Sequence, residues 1–203
     1  MEWKRTVQPD AAAELALLER CKRQDAEAFG RFVDVYQNRL FGFVRRMVND
    51  AEEAADITQD AFIRAFQAIH RFDGRCSVRT WLFRIAYNLC VDRARKVDRT
   101  PNEFRLDHGY EDDETVELAD VRWDPENIVM NDEFFELVEK GVASMSEKLR
   151  SVLLLHDKED LSYDEIAETL GIPVGTVKSR LFLARNHLQS VVGEYLRGES
   201  HVS

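Results

Sequence analysis

The chain of 203 residues carries 38 acidic and 28 basic side chains, which gives a formal net charge of -10 and a sequence isoelectric point near 5.1. This balance excludes a general nucleic-acid binder that works through bulk positive charge, but it does not exclude a local basic surface. With 44% hydrophobic residues, nine Gly and four Pro, the composition favours a helix-rich protein with one large core or two small ones, and it excludes collagen-like and mucin-like chains.

The cellular compartment can be predicted from the cysteines and the apolar runs. Cys21, Cys76 and Cys90 are far apart and form no C-x-x-C pair, so we expect neither a disulfide framework nor a zinc site. No stretch approaches about 18 uninterrupted apolar residues, and the first nine residues lack the apolar run of a signal peptide. These features predict a cytoplasmic protein with no direct membrane insertion.

The negative charge is concentrated in the middle of the sequence. Residues 98–140 carry fifteen acids and four bases, whereas residues 26–97 carry nine acids and twelve bases. Within the acidic segment, residues 107–120 hold seven acids, no base and little periodic apolar content, a pattern typical of a solvated linker. The sequence therefore predicts an N-terminal tail (1–13), a first domain (14–97), a flexible acidic linker (98–123) and a second domain (124–203).

The first domain shows helical spacing of its apolar residues. From Phe29 to Met47, apolar side chains recur at three- and four-residue steps, which is typical of a helix packed in a bundle. A turn centred on Gly74 separates the last two periodic segments. No extended run of alternating β-branched residues occurs, so we predict an all-α bundle. Its four helices are expected at residues 14–23, 26–48, 51–72 and 77–96.

The second domain is predicted to contain a helix-turn-helix. Asp124 and Pro125 favour a helix start, and we expect helices over 124–143 and 147–156 ahead of two short ones. Ser162 to Glu165 has the spacing of a capping box, and Gly171 suits the left-handed end of that helix. A tight turn follows, and the next helix is expected from about residue 174 to residue 188.

The last predicted helix has one apolar face, formed by Val177, Leu181, Ala184 and Leu188. The opposite side and its flanks display Thr176, Lys178, Ser179, Arg180, Phe182 and Asn186. Hydroxyl, amide and cationic groups near the start of a helix that follows a tight turn are what a major-groove reader needs. An ordinary helical hairpin with a solvated face is the alternative, and the cap and turn spacing favour DNA binding over it.

Two patterns in the first domain supply further candidate residues. A mixed acidic, amide and apolar strip is formed on one helix by Asp56, Gln59, Asp60 and Ile63. Residues 71–88 interleave basic and aromatic side chains around the Gly74 turn, and Arg93, Arg95 and Lys96 follow. This composition is typical of a single-strand surface, where cations track phosphates and rings stack on bases. The alternative is that the rings are core and the arginines solubilise, and for Trp81 we favour it.

Together these patterns resemble the sigma-70 family of bacterial initiation factors, in its compact extracytoplasmic-function (ECF) group. The most specific parts are residues 56–66, 72–88 and 162–185, which stand in the family's order and are split by a variable linker. The resemblance covers nearly everything from residue 14 to about residue 188 except that linker. It implies an all-α fold of two helical domains, the C-terminal one a helix-turn-helix.

The resemblance also implies partners and residue roles. The implied partners are bacterial core RNA polymerase, contacted through the clamp helices of its largest subunit, promoter DNA, and an anti-sigma factor. The residues matching the polymerase-docking segment are Asp56, Gln59, Asp60 and Ile63. The residues expected at the minus-ten element are Phe72, Asp73, Arg75, Ser77, Arg79, Asn88, Arg93 and Arg95. Those expected at the minus-thirty-five element are Thr176, Lys178, Ser179, Arg180 and Phe182.

Two departures from the family pattern affect the second domain. Leu183 stands where many members carry an arginine beside the recognition surface, and we expect it to lean toward the interior. Met145 and Ser146 replace a frequent Leu-Pro pair at the start of an earlier helix, where Ser is a suitable N-cap. Both leave the predicted fold intact.

Two other classes of function are open. A conventional transcriptional regulator would use the helix-turn-helix to read DNA and the first domain to dimerise or bind a ligand, but it leaves the basic and aromatic segment at 71–88 unexplained. An enzyme has thin support, because G-x-x-x-x-G-K-[ST], G-x-S-x-G and H-E-x-x-H are absent and the five histidines are dispersed. We therefore predict no catalytic residues, no metal and no cofactor.

Overall fold

A computed structural model of the chain describes residues 11–98 and 132–196, and within these two ranges it contains helices and no strand. The α-helices are α1 (Ala11–Lys22), α2 (Ala26–Val48), α3 (Ala51–Ala68), α4 (Val78–Asp98), α5 (Asp132–Ser144), α6 (Glu147–Leu153), α7 (Tyr163–Leu170) and α8 (Val174–Leu196). A 3-10 turn at Ile69–Arg71 continues α3, and a π-helical turn at Leu154–Lys158 continues α6. The predicted all-α fold is confirmed.

The predicted boundaries agree closely with these helices. α2 has the predicted limits, because Asp25 accepts a hydrogen bond from Ala28 N (3.0 Å) at its start and Asn49 adopts a left-handed conformation (φ 59°) at its end. α1 begins three residues earlier than expected, and α8 continues eight residues beyond residue 188. The predicted helix start at 124 and 125 lies outside the described residues, as does the acidic linker except for residue 98.

The first half of the structure is organised by the aromatic side chains of α2. Phe32 is buried between neighbouring rings, with its centroid 4.8 Å from that of Tyr36 and 6.4 Å from that of Phe62 on α3. Phe29 meets Phe66 edge-on at 4.9 Å. The contacts of Phe32 and Phe29 with rings of α3 are edge-on, an arrangement that aromatic pairs prefer, and they fix α3 against α2.

The second half contains the predicted helix-turn-helix. Ser162 and Glu165 form the capping box that begins α7, because Glu165 N donates to Ser162 Oγ (3.3 Å) and Ser162 N donates to Glu165 Oε2 (3.0 Å). Gly171 ends α7 with φ +67°, and Ile172 N donates to Ala167 O (3.1 Å), which closes a Schellman turn. α8 then packs its predicted apolar face into the core, where Val177, Leu181 and Ala184 are buried.

The two halves pack on each other and share one hydrophobic core. Arg150 of α6 lies at their junction and is only 8% exposed. Its guanidinium donates to Arg46 O (3.1 Å) and Met47 O (2.9 Å) near the end of α2, and to Ala143 O (2.6 Å) and Met145 O (2.7 Å) at the end of α5. One cation therefore satisfies carbonyls that two helix ends leave without intrahelical partners.

Replacing Arg150 by Ala should lower the free energy of unfolding by about 3 kcal/mol or more, since buried carbonyls would lose charged donors. Urea unfolding followed by circular dichroism measures this change. Arg45→Ala, an exposed arginine in the last turn of α2, is the matched control and should shift stability by less than about 0.5 kcal/mol. Equal stability of the two variants would contradict the role given to Arg150.

Candidate protein and nucleic-acid interfaces

The acidic strip predicted on α3 lies on the protein surface. Asp56, Gln59, Asp60 and Ile63 are all exposed, and Ile63 is one of the exposed large apolar side chains of the described residues at 46%. Their arrangement follows from helical geometry, because positions three and four apart share one face. The side of α3 that carries Ile57 and Ala61 is buried in the core, where α3 packs on α2 and α4.

An open groove of about 610 Å³ runs beside this strip, between α2 and α3. Gln59 and Ile63 form part of the α3 wall, and Val33, Gln37 and Phe41 form part of the α2 wall. The α2 wall was not predicted from the sequence. The signal was available, because these three α2 residues recur every four positions and Phe41, which is 38% exposed, falls outside the main apolar stripe.

The turn predicted to contact the minus-ten element is stabilised by contacts among its own residues. Gly74 adopts φ +76°, and Asp73 forms an exposed ion pair with Arg75 (2.9 Å) while also accepting from Arg75 N (3.2 Å). Phe72, which was expected on the binding surface, is only 7% exposed, and its ring lies 5.3 Å from that of Trp81. In this structure Phe72 therefore packs in the core beneath the turn and anchors it there.

α4 carries the rest of the predicted minus-ten residues. Ser77 caps the helix by accepting from Thr80 N (3.0 Å). Asn88, Arg93 and Arg95 are exposed along the helix, and Arg93 is paired with Glu53 of α3 at 2.9 Å. Ser77 and Arg79, by contrast, contact the second half of the protein.

The half-buried Cys76 lies between the turn and α4. Burial raises the pKa of its thiol, and the nearby carboxylate of Glu168 raises it further. The protonated form therefore dominates near neutral pH, which does not suit a reactive thiolate.

The residues predicted to read DNA from α8 differ in how far they are exposed. Lys178 is exposed, and its ammonium group lies 5.9 Å from the ring centroid of Tyr163. The remaining members of the predicted set are half-buried, namely Thr176, Ser179, Arg180 and Phe182. The expectation that Leu183 leans inward is wrong, because its side chain is 38% exposed. It follows the buried Leu181 by two residues, a rotation of about 200° around the helix.

A polar cluster ties α8 to the π-helical turn. Arg185 donates to Asp157 Oδ1 (2.9 Å), and His156 Nδ1 lies 2.7 Å from the same oxygen. Burial raises the pKa of Asp157, but the hydrogen bonds from His156 and Arg185 outweigh it, so the net pKa is lower than the ordinary carboxyl value of 3.8. His156 also stacks on Tyr163, with ring centroids 5.2 Å apart. The cluster thus connects α8 with the base of α7.

Within residues 11–98 and 132–196, no helix is long and apolar enough to span a bilayer. In the same part of the chain, no group of three or more His, Cys, Asp or Glu side chains is arranged to hold a metal ion.

Comparison with known families matches both halves of this structure. Residues 32–100 match sigma-70 region 2, and residues 135–188 match sigma-70 region 4. The RNA polymerase sigma-H factor of Pseudomonas aeruginosa is 38% identical over 89% of this chain and 94% of its own length. The ECF RNA polymerase sigma factor SigW of Bacillus subtilis is 36% identical over 85% of this chain and 92% of its own length.

Solved structures show the same fold. CnrH, in complex with the cytosolic domain of CnrY, aligns with a TM-score of 0.63 at 22% identity, over 89% of this chain and 97% of CnrH. RpoE from Bartonella quintana, in complex with the anti-sigma factor NepR, aligns with a TM-score of 0.61 at 23% identity, over 83% of this chain and 98% of RpoE. The chain belongs to the sigma-70 family of RNA polymerase sigma factors, in its ECF group.

The polar cluster at Asp157 gives a pH-dependent prediction. Because the folded pKa of Asp157 is depressed, its contribution to stability is present above pH 4 and is lost as the pH falls through the lower folded value. Asp157→Asn should therefore reduce the free energy of unfolding by about 1 kcal/mol at pH 7. The gap from the unmodified chain should narrow as the pH falls below 4, as followed by urea unfolding at a series of pH values. A gap that is constant over this range would contradict the depressed pKa.

Proposed function

We propose that this ECF sigma factor works through three separate surfaces, which dock on core RNA polymerase, capture the minus-ten element and read the minus-thirty-five element. One observation carries the proposal. The exposed α3 strip, the exposed cations of α4 and the helix-turn-helix occur together on one chain of this family. The protein then serves as a specificity subunit in the cytoplasm, while the polymerase supplies the catalysis.

The docking surface combines the α3 strip with the groove beside it. An apolar groove with Phe41 and Ile63 on its rim accepts the apolar face of an amphipathic helix. Asp56 and Asp60 stand on the exposed edge, so the helix that fits is basic along its polar flank. The clamp helices of the largest polymerase subunit are the proposed partner.

The minus-ten surface suits a melted strand. The Asp73–Arg75 turn, Asn88 and the cations Arg93 and Arg95 offer exposed hydrogen-bonding groups and phosphate contacts. Extruding a base costs a few kcal/mol, and contacts to the extruded base together with the polymerase offset that cost. Melting then needs no ATP.

The minus-thirty-five surface is the start of α8. Lys178 and its neighbours supply few cations, so this surface alone binds weakly. When polymerase holds both DNA-binding surfaces, binding of one promoter element brings the other element close to its own surface. The effective concentration of that second element is thereby raised. Tight promoter recognition therefore does not require a basic protein.

The match to sigma-70 region 2 disfavours the alternative of a conventional regulator, because it accounts for the first half without a dimerisation or ligand domain. An anti-sigma factor is a further proposed partner. The support is that the solved complexes of CnrH and of RpoE hold CnrY and the anti-sigma factor NepR, respectively. The exposed groove between α2 and α3 gives such a factor an apolar surface to cover.

The direct test is transcription in vitro with purified core polymerase and genomic DNA, followed by mapping of the start sites. The proposal expects initiation at a defined set of promoters only when this protein is added. Initiation that is independent of the protein, or uniform across the DNA, would overturn it.

The docking surface can be tested by charge reversal. Asp60→Lys should weaken binding to core polymerase at least about tenfold, since it brings like charges together at the edge of the groove. Glu136→Lys, the same charge change on exposed α5, is the control and should bind normally. Co-purification and fluorescence titration measure both, and undiminished binding by Asp60→Lys would remove this residue from the docking surface.

The promoter-reading surface can be tested at Lys178. Lys178→Ala should weaken promoter binding by the polymerase complex by about 1 to 3 kcal/mol if the side chain contacts a base edge. Gln189→Ala, exposed in the later part of α8, should leave binding unchanged. If Lys178→Ala retains full affinity and selectivity, the residue does not read the promoter.

A further inference from the structure

An apolar side chain stands on the outward side of α8. Between residues 176 and 188, only Lys178 and Leu183 are exposed, and the other side chains are half-buried or buried. Leu183 is 38% exposed, and among residues 133–193, whose side chains the structure describes, it is the one large aliphatic or aromatic side chain that is exposed. The outward side of α8 therefore combines a cation with an apolar group.

The other flanks of α8 are held by contacts within the protein. Its apolar face is buried in the core, and Arg185 on the next flank donates to Asp157 Oδ1 (2.9 Å). On the far flank, His187 Nε2 lies 2.9 Å from the hydroxyl oxygen of Ser144 on α5. These contacts fix the rotation of α8 about its own axis, and they leave Leu183 on the side that faces away from the core.

Leu183 lies beside residues that are already proposed to read the minus-thirty-five element. It follows Ser179 by four residues and Arg180 by three, so the three side chains share one side of the helix on successive turns. The Ser179 hydroxyl donates its hydrogen to Thr176 O (3.1 Å), which leaves its oxygen as an acceptor for DNA. Leu183 thus extends this polar surface by one turn with a group that neither donates nor accepts.

The chemistry of leucine restricts what it can recognise on a base edge. The donors and acceptors of the major groove lose their water without gaining a partner when an apolar side chain covers them. The C5 methyl group of thymine is the apolar group that an unmodified base pair presents in that groove. A leucine that faces the groove therefore favours a thymine at its point of contact over any other base.

We propose that Leu183 is a specificity-determining residue of the minus-thirty-five surface, where its side chain packs on the C5 methyl group of one thymine. The inference rests on the proposed function of α8 and adds one base preference to it. Leu183 lies about 4.5 to 6 Å along the helix from Arg180 and Ser179. The thymine is therefore expected within about two base pairs of those that Arg180 and Ser179 contact.

The experiment removes the methyl group from the DNA. Each thymine of the mapped minus-thirty-five element, on either strand, is replaced in turn by deoxyuridine, which lacks this methyl group and keeps the same base pairing. Binding of each duplex to the complex of this protein with core polymerase is measured by fluorescence titration. At one position the replacement should weaken binding about three- to fivefold, which is the effect of one methyl group that loses its apolar contact.

Variants of the protein assign this effect to Leu183. Leu183→Ala should bind the thymine duplex about three- to fivefold more weakly, and deoxyuridine at the same position should cause no further loss, because both changes remove one contact. Leu183→Met keeps an apolar side chain and should retain the sensitivity to deoxyuridine. Gln189→Ala, the exposed control on the later part of α8, should respond to deoxyuridine as the unmodified chain does.

The outcomes separate this inference from the proposed function. Promoter-specific transcription combined with binding that no deoxyuridine weakens would overturn the role of Leu183 and leave the sigma function intact. Additive losses from Leu183→Ala and deoxyuridine at every thymine, or a mapped element made of G·C pairs alone, would have the same consequence. Absence of promoter-specific transcription would instead overturn the proposed function.

Discussion

The guanidinium of Arg150 occupies the one place in the described structure where the ends of α2 and α5 meet across the two halves. Helix ends leave carbonyls without partners, and burying such carbonyls unsatisfied costs about 1 to 3 kcal/mol each. A single buried cation removes this cost on both sides. The two halves share one hydrophobic core, with α4 lying against α7 and the Ser77 hydroxyl 3.1 Å from Glu165 Oε1.

Local sequence was sufficient for most of the fold. The ends of α2 are set by Asp25 and Asn49, and those of α7 by Ser162 and Gly171. Such caps and left-handed positions act over three or four residues and can therefore be read from local sequence. The role of Arg150 could not be predicted in this way. Its partners on α2 lie more than one hundred positions earlier in the sequence, and a lone arginine in an amphipathic segment reads as a solvated charge.

The candidate surfaces were predictable to a similar degree. The α3 strip and the outward side of α8 follow from helical periodicity, and the structure places both on the surface. Phe72 was expected at the minus-ten surface because the family resemblance implies it, but its ring is buried against the partly buried ring of Trp81, nine residues later. The α2 wall of the groove was missed because Phe41 falls outside the main apolar stripe of α2, although its four-residue spacing from Gln37 and Val33 is visible in the sequence.

The net charge of -10 does not describe the local charge on the surface of the first half. Arg39, Arg46 and Arg84 are each within 3 Å of a carboxylate from the other half, whereas other arginines of the first half, among them Arg75, Arg93 and Arg95, are exposed. Surface charges act over about 8 Å at physiological ionic strength, so a ligand at the turn before α4 or at α4 meets these exposed arginines rather than the average charge of the chain. A negative net charge is therefore compatible with a local basic surface.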